Sequence, residues 1–335
     1  MIYNSFDSPG LVKVLTFLQT HNTEYLSGQD LSDVLRISRV AIWKHIKKIQ
    51  ELGYTVESKQ KLGYKLTSNS DALLPWEITS GLKTKKMGKK AYYFNSIDST
   101  QKQALKMSED SSNDGTIIIA AKQTGGKGRS GRKWLSPKGG IWFSIILQPK
   151  FDISITTLFP IASSLALSYA IEKTFKFKPE LKWPNDLTVK GKKVAGMLVD
   201  VSLESNKIES LVLGVGINFN VDVKQIEKIL KDTPNFYGVA SLSEQKMKIK
   251  PKILVQTFLL ELEKIYELLN KKQTKSIISN WTERSSTIGK KVELDTVDGK
   301  IKGDAIKIDD DGALIVSEKN KTCRVIAGDI IHLSK

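Results

Sequence analysis

The sequence predicts an α+β protein with three parts: a winged helix-turn-helix at the N-terminus, a central domain of helices and strands, and a small C-terminal barrel of the SH3-like type. Three observations carry this prediction. Helical periodicity and then two alternating runs occupy residues 11–66, apolar strands surround a basic glycine-rich stretch in the middle, and short strands with turns fill the region from Gly289 onward. Because 335 residues exceed what one core usually organises, we place the domains at 1–68, 69–284 and 285–335.

The composition is that of a folded protein in a reducing compartment. Hydrophobic residues make up 40% of the chain and charged residues 26%, which suits a globular domain rather than a disordered one. The single cysteine, Cys323, excludes an intrachain disulfide. No run approaches the roughly 20 apolar residues that span a bilayer. We therefore expect a cytoplasmic protein without a membrane partner.

The charge balance points to an anionic partner. The formal net charge is +16, which favours nucleic acid or phosphorylated ligands, although a lysine-rich composition also occurs on an ordinary solvated surface. His21, His45 and His332 are far apart, and no metal-binding or GxSxG spacing is present. Any chemistry must therefore depend on positioning and electrostatics.

The N-terminal region has the pattern of a helix-turn-helix. Apolar residues recur at helical spacing over residues 11–18, Ser27 offers an N-cap to a second helix at 30–35, and Ser38 caps a third helix that Gly53 ends. The third helix contains a buried stripe drawn from Val40, Ile42, Ile46, Ile49 and Leu52. Two short helices and a tight turn into a longer one are typical of this motif.

The segment YTVESKQKLGYKL that follows predicts a β-hairpin wing. Residues 39–65 hold seven basic residues against two acids, Glu51 and Glu57, so the third helix and the wing form a basic face that suits DNA phosphates and base edges. A winged helix that binds protein or only dimerises is the alternative. The candidate DNA contacts are Ser38, Arg39, Lys44, Lys47, Lys59 and Lys61.

The central domain begins after a polar, proline-bounded stretch, SNSDALLPWE at 68–77, which predicts a linker. A strand at 91–94 then runs into SIDST. Ser99 and Thr100 either cap the helix predicted at 101–107 or present their hydroxyls to a polar ligand.

The basic loop GGKGRSGRKWLSP at 125–137 is the most informative stretch. Residues 122–138 contain six Lys or Arg, four Gly and no acid, which predicts an anion-binding loop that is neither helix nor ordinary strand. Gly126, Gly128 and Gly131 fit GxGxxG, but no helix can follow, and a P-loop would need Lys-Ser or Lys-Thr after the last glycine. A loop that closes over a ligand remains, with Trp134 available for stacking. A disordered surface loop is the alternative, which the apolar Trp134 and Leu135 disfavour.

Further strands and helices complete the central domain. A strand at 141–147 and a buried helix at 160–174 precede LKWPNDLTVKGKKVAGMLVDVSLE, in which Lys190 and Gly191 form a hairpin turn. Lys193 stands before the apolar strand at 194–201, so it is either snorkelling or catalytic, and position alone favours snorkelling. A partner strand at 211–220 and helices at 252–269 and 276–281 follow. From Gly289, turns at 298–299, 311–312 and 319–321 predict the small barrel.

Five motifs in this order, SIDST, QTGGKGRSGRKWLSP, KWPNDL, KKVAGMLVD and GVGIN, closely resemble those of the biotin protein ligases. The N-terminal LRISRVAIWKHIKKIQELGY and LGYKL are similar to the DNA-binding domain of the bifunctional members, the biotin operon repressors. The resemblance implies a class II synthetase-like catalytic domain with a mixed sheet. It implies adenylation of biotin by MgATP to biotinyl-5′-AMP and pyrophosphate, and then transfer to a lysine of a carboxylase carrier domain. It also implies a homodimer, favoured by biotinyl-5′-AMP, on palindromic operator DNA.

The resemblance also implies roles for individual residues. Ser99, Thr100 and Gln123 bond the ureido end of biotin, and Lys193 stabilises charge at the reacting carbonyl and phosphate, against the snorkelling interpretation. Asp186 and Asn185 orient the site and its Mg²⁺, which ATP mainly carries. The implied biotin site is Ser99, Thr100, Gln123, Gly126, Lys127, Arg129, Lys193 and Gly196, and the implied adenylate site is Arg129, Arg132, Trp134, Asn185 and Asn218. Many members have Arg where this chain has Lys127.

The residues and the resemblance leave two candidate functions of different class. The first is a bifunctional enzyme and repressor with Lys193, Arg129 and Asp186 as catalytic residues. The second is a ligand-sensing DNA-binding regulator without ligase turnover. The presence of all three catalytic residues favours the first.

Overall fold

The structure is a computed structural model that describes residues 2–4, 9–205, 207–245, 247–296, 299–318 and 321–333. The helices are α1 Pro9–Thr20, α2 Gly28–Leu35, α3 Arg39–Glu51, α4 Pro75–Thr79, α5 Thr100–Ser108, α6 Phe159–Phe175, α7 Val223–Leu230, α8 Pro251–Asn270 and α9 Lys275–Thr282. The strands are β1 Ile2–Asn4, β2 Thr55–Lys59, β3 Gly63–Ser68, β4 Ala91–Phe94, β5 Ile117–Ala120, β6 Ile141–Leu147, β7 Glu180–Lys182, β8 Asp186–Val189, β9 Lys192–Glu204, β10 Lys207–Ile217, β11 Lys291–Thr296, β12 Gly299–Ile308, β13 Leu314–Glu318, β14 Lys321–Val325 and β15 Asp329–His332.

The N-terminal region confirms the winged helix-turn-helix. The Ser27 Oγ accepts from the Asp30 N–H at 3.0 Å, and the Ser38 Oγ accepts from the Ala41 N–H at 3.3 Å, so both predicted caps are present. Strands β2 and β3 pair antiparallel as the wing. At Gly63 the backbone φ is +106°, and a Cβ would lie 2.0 Å from the Leu26 carbonyl oxygen, so only glycine fits where the wing meets α2.

The structure corrects the prediction of a polar linker at 68–77. This stretch packs against its surroundings and ends in α4, where the Glu77 side chain is buried. Glu77 Oε1 accepts from the Tyr54 hydroxyl at 2.6 Å, and its Oε2 lies 2.5 Å from Lys252 Nζ on α8. Apolar Leu73 and Leu74 supply the burial that the polar composition concealed. Glu77 therefore joins the N-terminal region to the central domain.

The central domain is built on a mixed sheet, as predicted. Its strand order is β1-β4-β5-β6-β10-β9-β8-β7, in which β4 and β5 are parallel and the other neighbours antiparallel. Helix α5 covers one face, while α6 and α8 cover the other. Residues 2–4, which we assigned to the N-terminal domain, pair with β4 and so cover an edge that would otherwise expose backbone hydrogen-bonding groups.

The C-terminal region is an antiparallel sheet with the order β14-β13-β12-β11-β15. Gly312, at φ +93°, forms the predicted turn before β13, whereas the predicted turns at 298–299 and 319–321 include residues outside those described. This sheet docks on the central domain, because the Trp183 Nε1–H donates to the Gly312 carbonyl at 3.1 Å. Among the described residues, no helix is both long enough and apolar enough to cross a membrane.

Candidate active site

One cavity brings together residues that are far apart in the sequence. Its walls come from the start of α5, the central strands β6, β9 and β10, the basic loop, residues 233–239, and residues 328–330 of the C-terminal sheet. Almost every residue predicted to bind biotin or adenylate lines it, namely Ser99, Thr100, Gln123, Lys127, Arg129, Arg132, Trp134, Asn185, Asp186, Lys193, Gly196 and Asn218. Gly126 is buried and does not line the cavity. Which ligand atoms these residues contact stays a prediction.

A polar network forms one end of the cavity. Gln123 Oε1 accepts from the Thr100 N–H at 2.8 Å and from the Thr100 hydroxyl at 3.1 Å. The Thr100 hydroxyl also lies 2.9 Å from Ser144 Oγ, which donates to Gln101 Oε1 at 2.9 Å. Ser99 serves as the N-cap of α5, accepting from the Lys102 N–H at 3.4 Å. Hydroxyls and amides held this rigidly suit a small polar ligand with both donors and acceptors.

The basic loop is ordered by its own backbone and by its glycines. The Trp134 N–H donates to the Gly126 carbonyl at 2.9 Å, and the Gly128 N–H donates to the Arg132 carbonyl at 2.7 Å. A Cβ at Gly126 would lie 2.6 Å from the Trp134 carbonyl oxygen, so the loop can fold back only on glycine. Apart from one 3₁₀ turn at Arg129–Gly131, the loop is neither helix nor strand, as predicted.

Two arginines of this loop reach across the cavity. Arg129 donates to Asn185 Oδ1 and to the Gly328 carbonyl, each at 3.2 Å. Burial lowers the pKa of Arg129, while the charges of Asp186 and Asp329 oppose that effect. Arg132 is ion-paired with Asp329. The C-terminal sheet therefore contributes directly to the site, which no local sequence signal indicated.

Trp134 lies over the strand β10. A Cβ at Gly216 would be 2.6 Å from the Trp134 indole, so this glycine lets the ring rest on the backbone. The indole Nε1 is buried and has no hydrogen-bond partner among the described residues. The nitrogen edge of the indole therefore packs on the β10 backbone.

The side chain of Lys193 turns into the cavity, which contradicts the snorkelling interpretation. Its Nζ lies 2.6 Å from Asp186 Oδ1 and 5.0 Å from the centre of the Trp134 ring. A Cβ at Gly196 would lie 3.0 Å from both Asp186 Oδ1 and Lys193 Cε. The glycine therefore keeps space open beside the ion pair.

The sequence analysis missed several residues that line the same cavity. Lys182 is only 6% exposed, and desolvation lowers its pKa to about 8, with the opposing charge of Asp186 as the next influence. The Tyr237 hydroxyl donates to Asp186 Oδ2 at 2.6 Å. Lys182 stands within KWPNDL, and Ser144 interrupts the apolar run IWFSIIL, so both carried a signal. Tyr237 and Asp329 carried none.

The described residues of the cavity offer few ligands for a metal ion. Asp186 supplies a hard carboxylate, which Mg²⁺ prefers, but its oxygens already contact Lys193 and Tyr237. No group of three or more His, Cys, Asp or Glu side chains that could hold a metal occurs in the part of the chain that the structure describes.

The predicted DNA contacts lie on one exposed surface. Arg39, Lys44 and Lys47 follow the face of α3 opposite the buried Ile42, Ile46 and Ile49, and Lys59 and Lys61 lie on the wing. The Ser38 hydroxyl is engaged as the helix cap. Val40, at 65% exposure, and Trp43, at 52%, share this outer face, so Val40 does not belong to the buried stripe.

Comparisons with known proteins agree with the fold. Sequence models match at residues 11–65 for a helix-turn-helix (HTH) domain, at 93–218 for the biotin/lipoate A/B protein ligase family, and at 287–333 for the biotin protein ligase C-terminal domain. The bifunctional ligase/repressor BirA of Bacillus subtilis is 34% identical over 316 residues, covering 94% of this chain and 95% of that protein. BirA of Escherichia coli is 28% identical over 299 residues, covering 89% of each.

A solved structure supports the same assignment. The biotin protein ligase from Aquifex aeolicus in complex with biotin and ATP has a TM-score of 0.62 at 27% identity, covering 74% of this chain and 98% of that one. Fold and cavity together define a protein ligase of the biotin/lipoate type joined to an N-terminal helix-turn-helix. The chain belongs to the family of bifunctional biotin protein ligases and repressors.

Proposed function

We propose that this protein activates biotin with ATP, transfers it to a lysine of a carboxylase carrier domain, and represses biotin genes as an operator-bound homodimer. The observation that carries the proposal is the Lys193–Asp186 ion pair in a cavity that Arg129 and Trp134 also line. In the first reaction a biotin carboxylate oxygen attacks the α-phosphorus of ATP and pyrophosphate leaves. In the second, the acceptor amine attacks the acyl carbon and AMP leaves.

The polar network recognises the ureido end of biotin. A urea group has two N–H donors and one carbonyl acceptor, which Ser99, Thr100 and Gln123 can match through hydroxyl and amide groups. These side chains are already oriented by Ser136 and Ser144, since Gln123 Nε2 donates to Ser136 Oγ at 2.9 Å. Their preorganisation limits the entropy lost on binding.

The cationic side chains bring two anions together. The biotin carboxylate and the triphosphate repel each other, so their in-line approach needs positive charge between them. Lys193 supplies it at the reacting carboxylate and phosphate, and Lys127 and Arg129 hold the surrounding oxygens. The present partners of Arg129 are a side-chain amide and a backbone carbonyl. An anionic ligand oxygen competes with these neutral acceptors because charge-assisted bonds are stronger.

The adenylate occupies the side of the cavity near Trp134. The indole covers the adenine, Asn185 and Asn218 orient the nucleotide, and Arg132 faces its phosphate. Mg²⁺ carried by ATP would neutralise charge on the triphosphate, and Asp186 is a carboxylate of the cavity wall that would approach it. Closure of the basic loop over this ligand protects the reactive acyl phosphate from water.

The C-terminal strands form an SH3-like barrel, and the central domain is of the class II synthetase type. Adenylate binding closes the loop over the ligand and favours a homodimer, which presents two α3 helices to a palindrome with half-sites about one helical turn or its multiples apart. The protein works in the cytoplasm, in keeping with its single cysteine, Cys323.

A biotin-dependent exchange of labelled pyrophosphate into ATP tests the adenylation step. We expect exchange with biotin and MgATP, and none when biotin is omitted. A gel shift on an inverted-repeat operator, strengthened by biotin and ATP, tests the regulatory part. Operator binding together with biotin-dependent loop closure, but without any exchange, would support the second candidate, a regulator without turnover.

A further inference from the structure

The Asp186 carboxylate is held from two sides. Lys193 Nζ approaches Oδ1 at 2.6 Å, and the Tyr237 hydroxyl donates to Oδ2 at 2.6 Å. The contact with Lys193 is an ion pair rather than a hydrogen bond, since Oδ1 has no hydrogen-bond partner among the described residues. The Tyr237 hydrogen bond is therefore the directional contact that orients the carboxylate.

The backbone of Lys193 is hydrogen-bonded to the segment that follows Tyr237. The Lys193 N–H donates to the Gly238 carbonyl at 3.1 Å, and the Ala240 N–H donates to the Lys193 carbonyl at 2.9 Å. Residue Val239 consequently forms a parallel bridge with Lys193 at the start of β9. Tyr237 therefore keeps a constant position relative to Lys193 even though 43 residues separate them in the sequence.

The ring of Tyr237 packs against the buried side chain of Lys182. Lys182 Nζ lies 3.3 Å from the ring centre, on a residue that is only 6% exposed. The Tyr237 hydroxyl faces Asp186 Oδ2, and a phenol O–H beside a carboxylate oxygen acts as the donor.

We propose that Tyr237 is a positioning residue of the adenylation site. Its hydroxyl fixes Asp186 Oδ2, so that Oδ1 stays directed at Lys193 and holds the ammonium where the carboxylate and phosphate meet. The proposal rests on the proposed ligase function. Tyr237 acts through Asp186 and does not touch the reacting atoms. Thr100 and Gln123, at the ureido end of the cavity, are held by each other and by Ser144 and Ser136, so recognition of the ureido group does not depend on Tyr237.

The test compares Tyr237→Phe with the wild-type chain in the biotin-dependent ATP–pyrophosphate exchange. Phenylalanine keeps the ring on Lys182 and removes only the hydroxyl. We expect kcat to fall about tenfold, the effect of one lost hydrogen bond to a charged group, while KM for biotin stays within about twofold. Tyr169→Phe is the matched control, since that ring packs on Arg284 away from the cavity. It should leave both parameters unchanged.

A double-mutant cycle separates positioning from a merely structural role. In an Asp186→Ala background, Tyr237→Phe should cause no further loss in the residual exchange rate, because the hydroxyl has no partner left. Full activity of the single variant, or losses that multiply in the double variant, would overturn the proposal. If the variant melts early, the same cycle is measured below its melting range. If the wild-type chain shows no exchange, the proposed function itself fails, which is a different result.

Discussion

Lys193 Nζ lies 2.6 Å from Asp186 Oδ1, inside the cavity and beside Trp134. The pairing directs a lysine whose side chain is only about one quarter exposed into the cavity. It also explains why a basic residue precedes an apolar strand in this sequence. The ion pair is the part of the site on which the proposed chemistry depends most.

Replacing Lys193 by Ala should lower the rate of biotinyl-5′-AMP formation by about a hundredfold or more, since one charge-stabilising group at a transition state contributes on the order of 3 kcal/mol. Single-turnover adenylate formation, followed by chromatography, measures this rate. Lys178→Ala removes an exposed lysine of the same domain and serves as the control. Equal loss in both variants would remove Lys193 from its role.

Replacing Arg129 by Gly should release the adenylate early. The side chain now reaches Asn185 and Gly328 across the cavity, and a lost charge-assisted bond costs about 1.5–3 kcal/mol, or about 10- to 100-fold in the dissociation rate. Stopped-flow dilution of preloaded protein into excess unlabelled biotin measures that rate. Lys138→Ala, at the exposed end of the same loop, should dissociate like the wild type. Unchanged retention in Arg129→Gly would contradict the role given to the loop.

Changing Arg39 and Lys44 together to Ala should abolish the gel shift on an inverted repeat at physiological salt. Both side chains lie on the exposed face of α3. In a dimer the change removes up to four phosphate contacts, so the slope of log K against log salt should become shallower by up to about four. Lys13→Ala, on α1, should keep the slope. Normal binding by the double variant would place the DNA surface elsewhere.

Replacing Glu77 by Gln should lower the free energy of unfolding by about 1–3 kcal/mol, because Lys252 loses its partner in a mostly buried place while the Tyr54 hydroxyl keeps an acceptor. Urea unfolding at neutral pH gives the value. Glu204→Gln changes an exposed glutamate in the same way and should have almost no effect. Equal stabilities of the two variants would mean that the Glu77 junction contributes nothing.

His332 should make the protein less stable in mild acid. Its pKa is lowered from 6.5 to about 4, mainly by desolvation and then by Lys182 and Lys290. Between these values the unfolded chain binds more protons than the folded one, so stability falls as pH drops from about 6.5 towards about 4. In His332→Gln this fall should be smaller than in the wild type, as measured by Tm across that window. Parallel curves for the two proteins would refute it.

The sequence predicted the elements whose signal is local. Ser27 and Ser38 are the caps of α2 and α3 because a serine hydroxyl just before a helix accepts a hydrogen bond from a free backbone N–H of the first turn. Local patterns also predicted the wing from its alternating runs, the strand at 141–147 from its apolar residues, and the irregular basic loop from its glycines. Nearly all residues assigned to the ligands through the family motifs line one cavity, which local patterns alone would not have assembled.

Contacts between distant segments could not be read from the sequence. The polar composition of residues 68–77 predicted a linker. The burial of Leu74 and Glu77 depends on packing with the distant helix α8, which that composition does not indicate. Lys193 was assigned to snorkelling because the predicted hairpin turn at Lys190 and Gly191 did not give the strand register that brings Asp186 to its side chain. Tyr237 and Asp329 reach the cavity only through the packing of the C-terminal half, so no spacing rule connects them to the basic loop.

The most direct test of the central claim is mass spectrometry of an isolated biotin-carrier domain after incubation with this protein, biotin and MgATP. We predict one added biotinyl group on a single lysine of the carrier, and little or none after the same time when Lys193→Ala replaces the wild type. An unmodified carrier, with biotinyl-5′-AMP formed and retained by the wild-type protein, would contradict the assignment as a ligase.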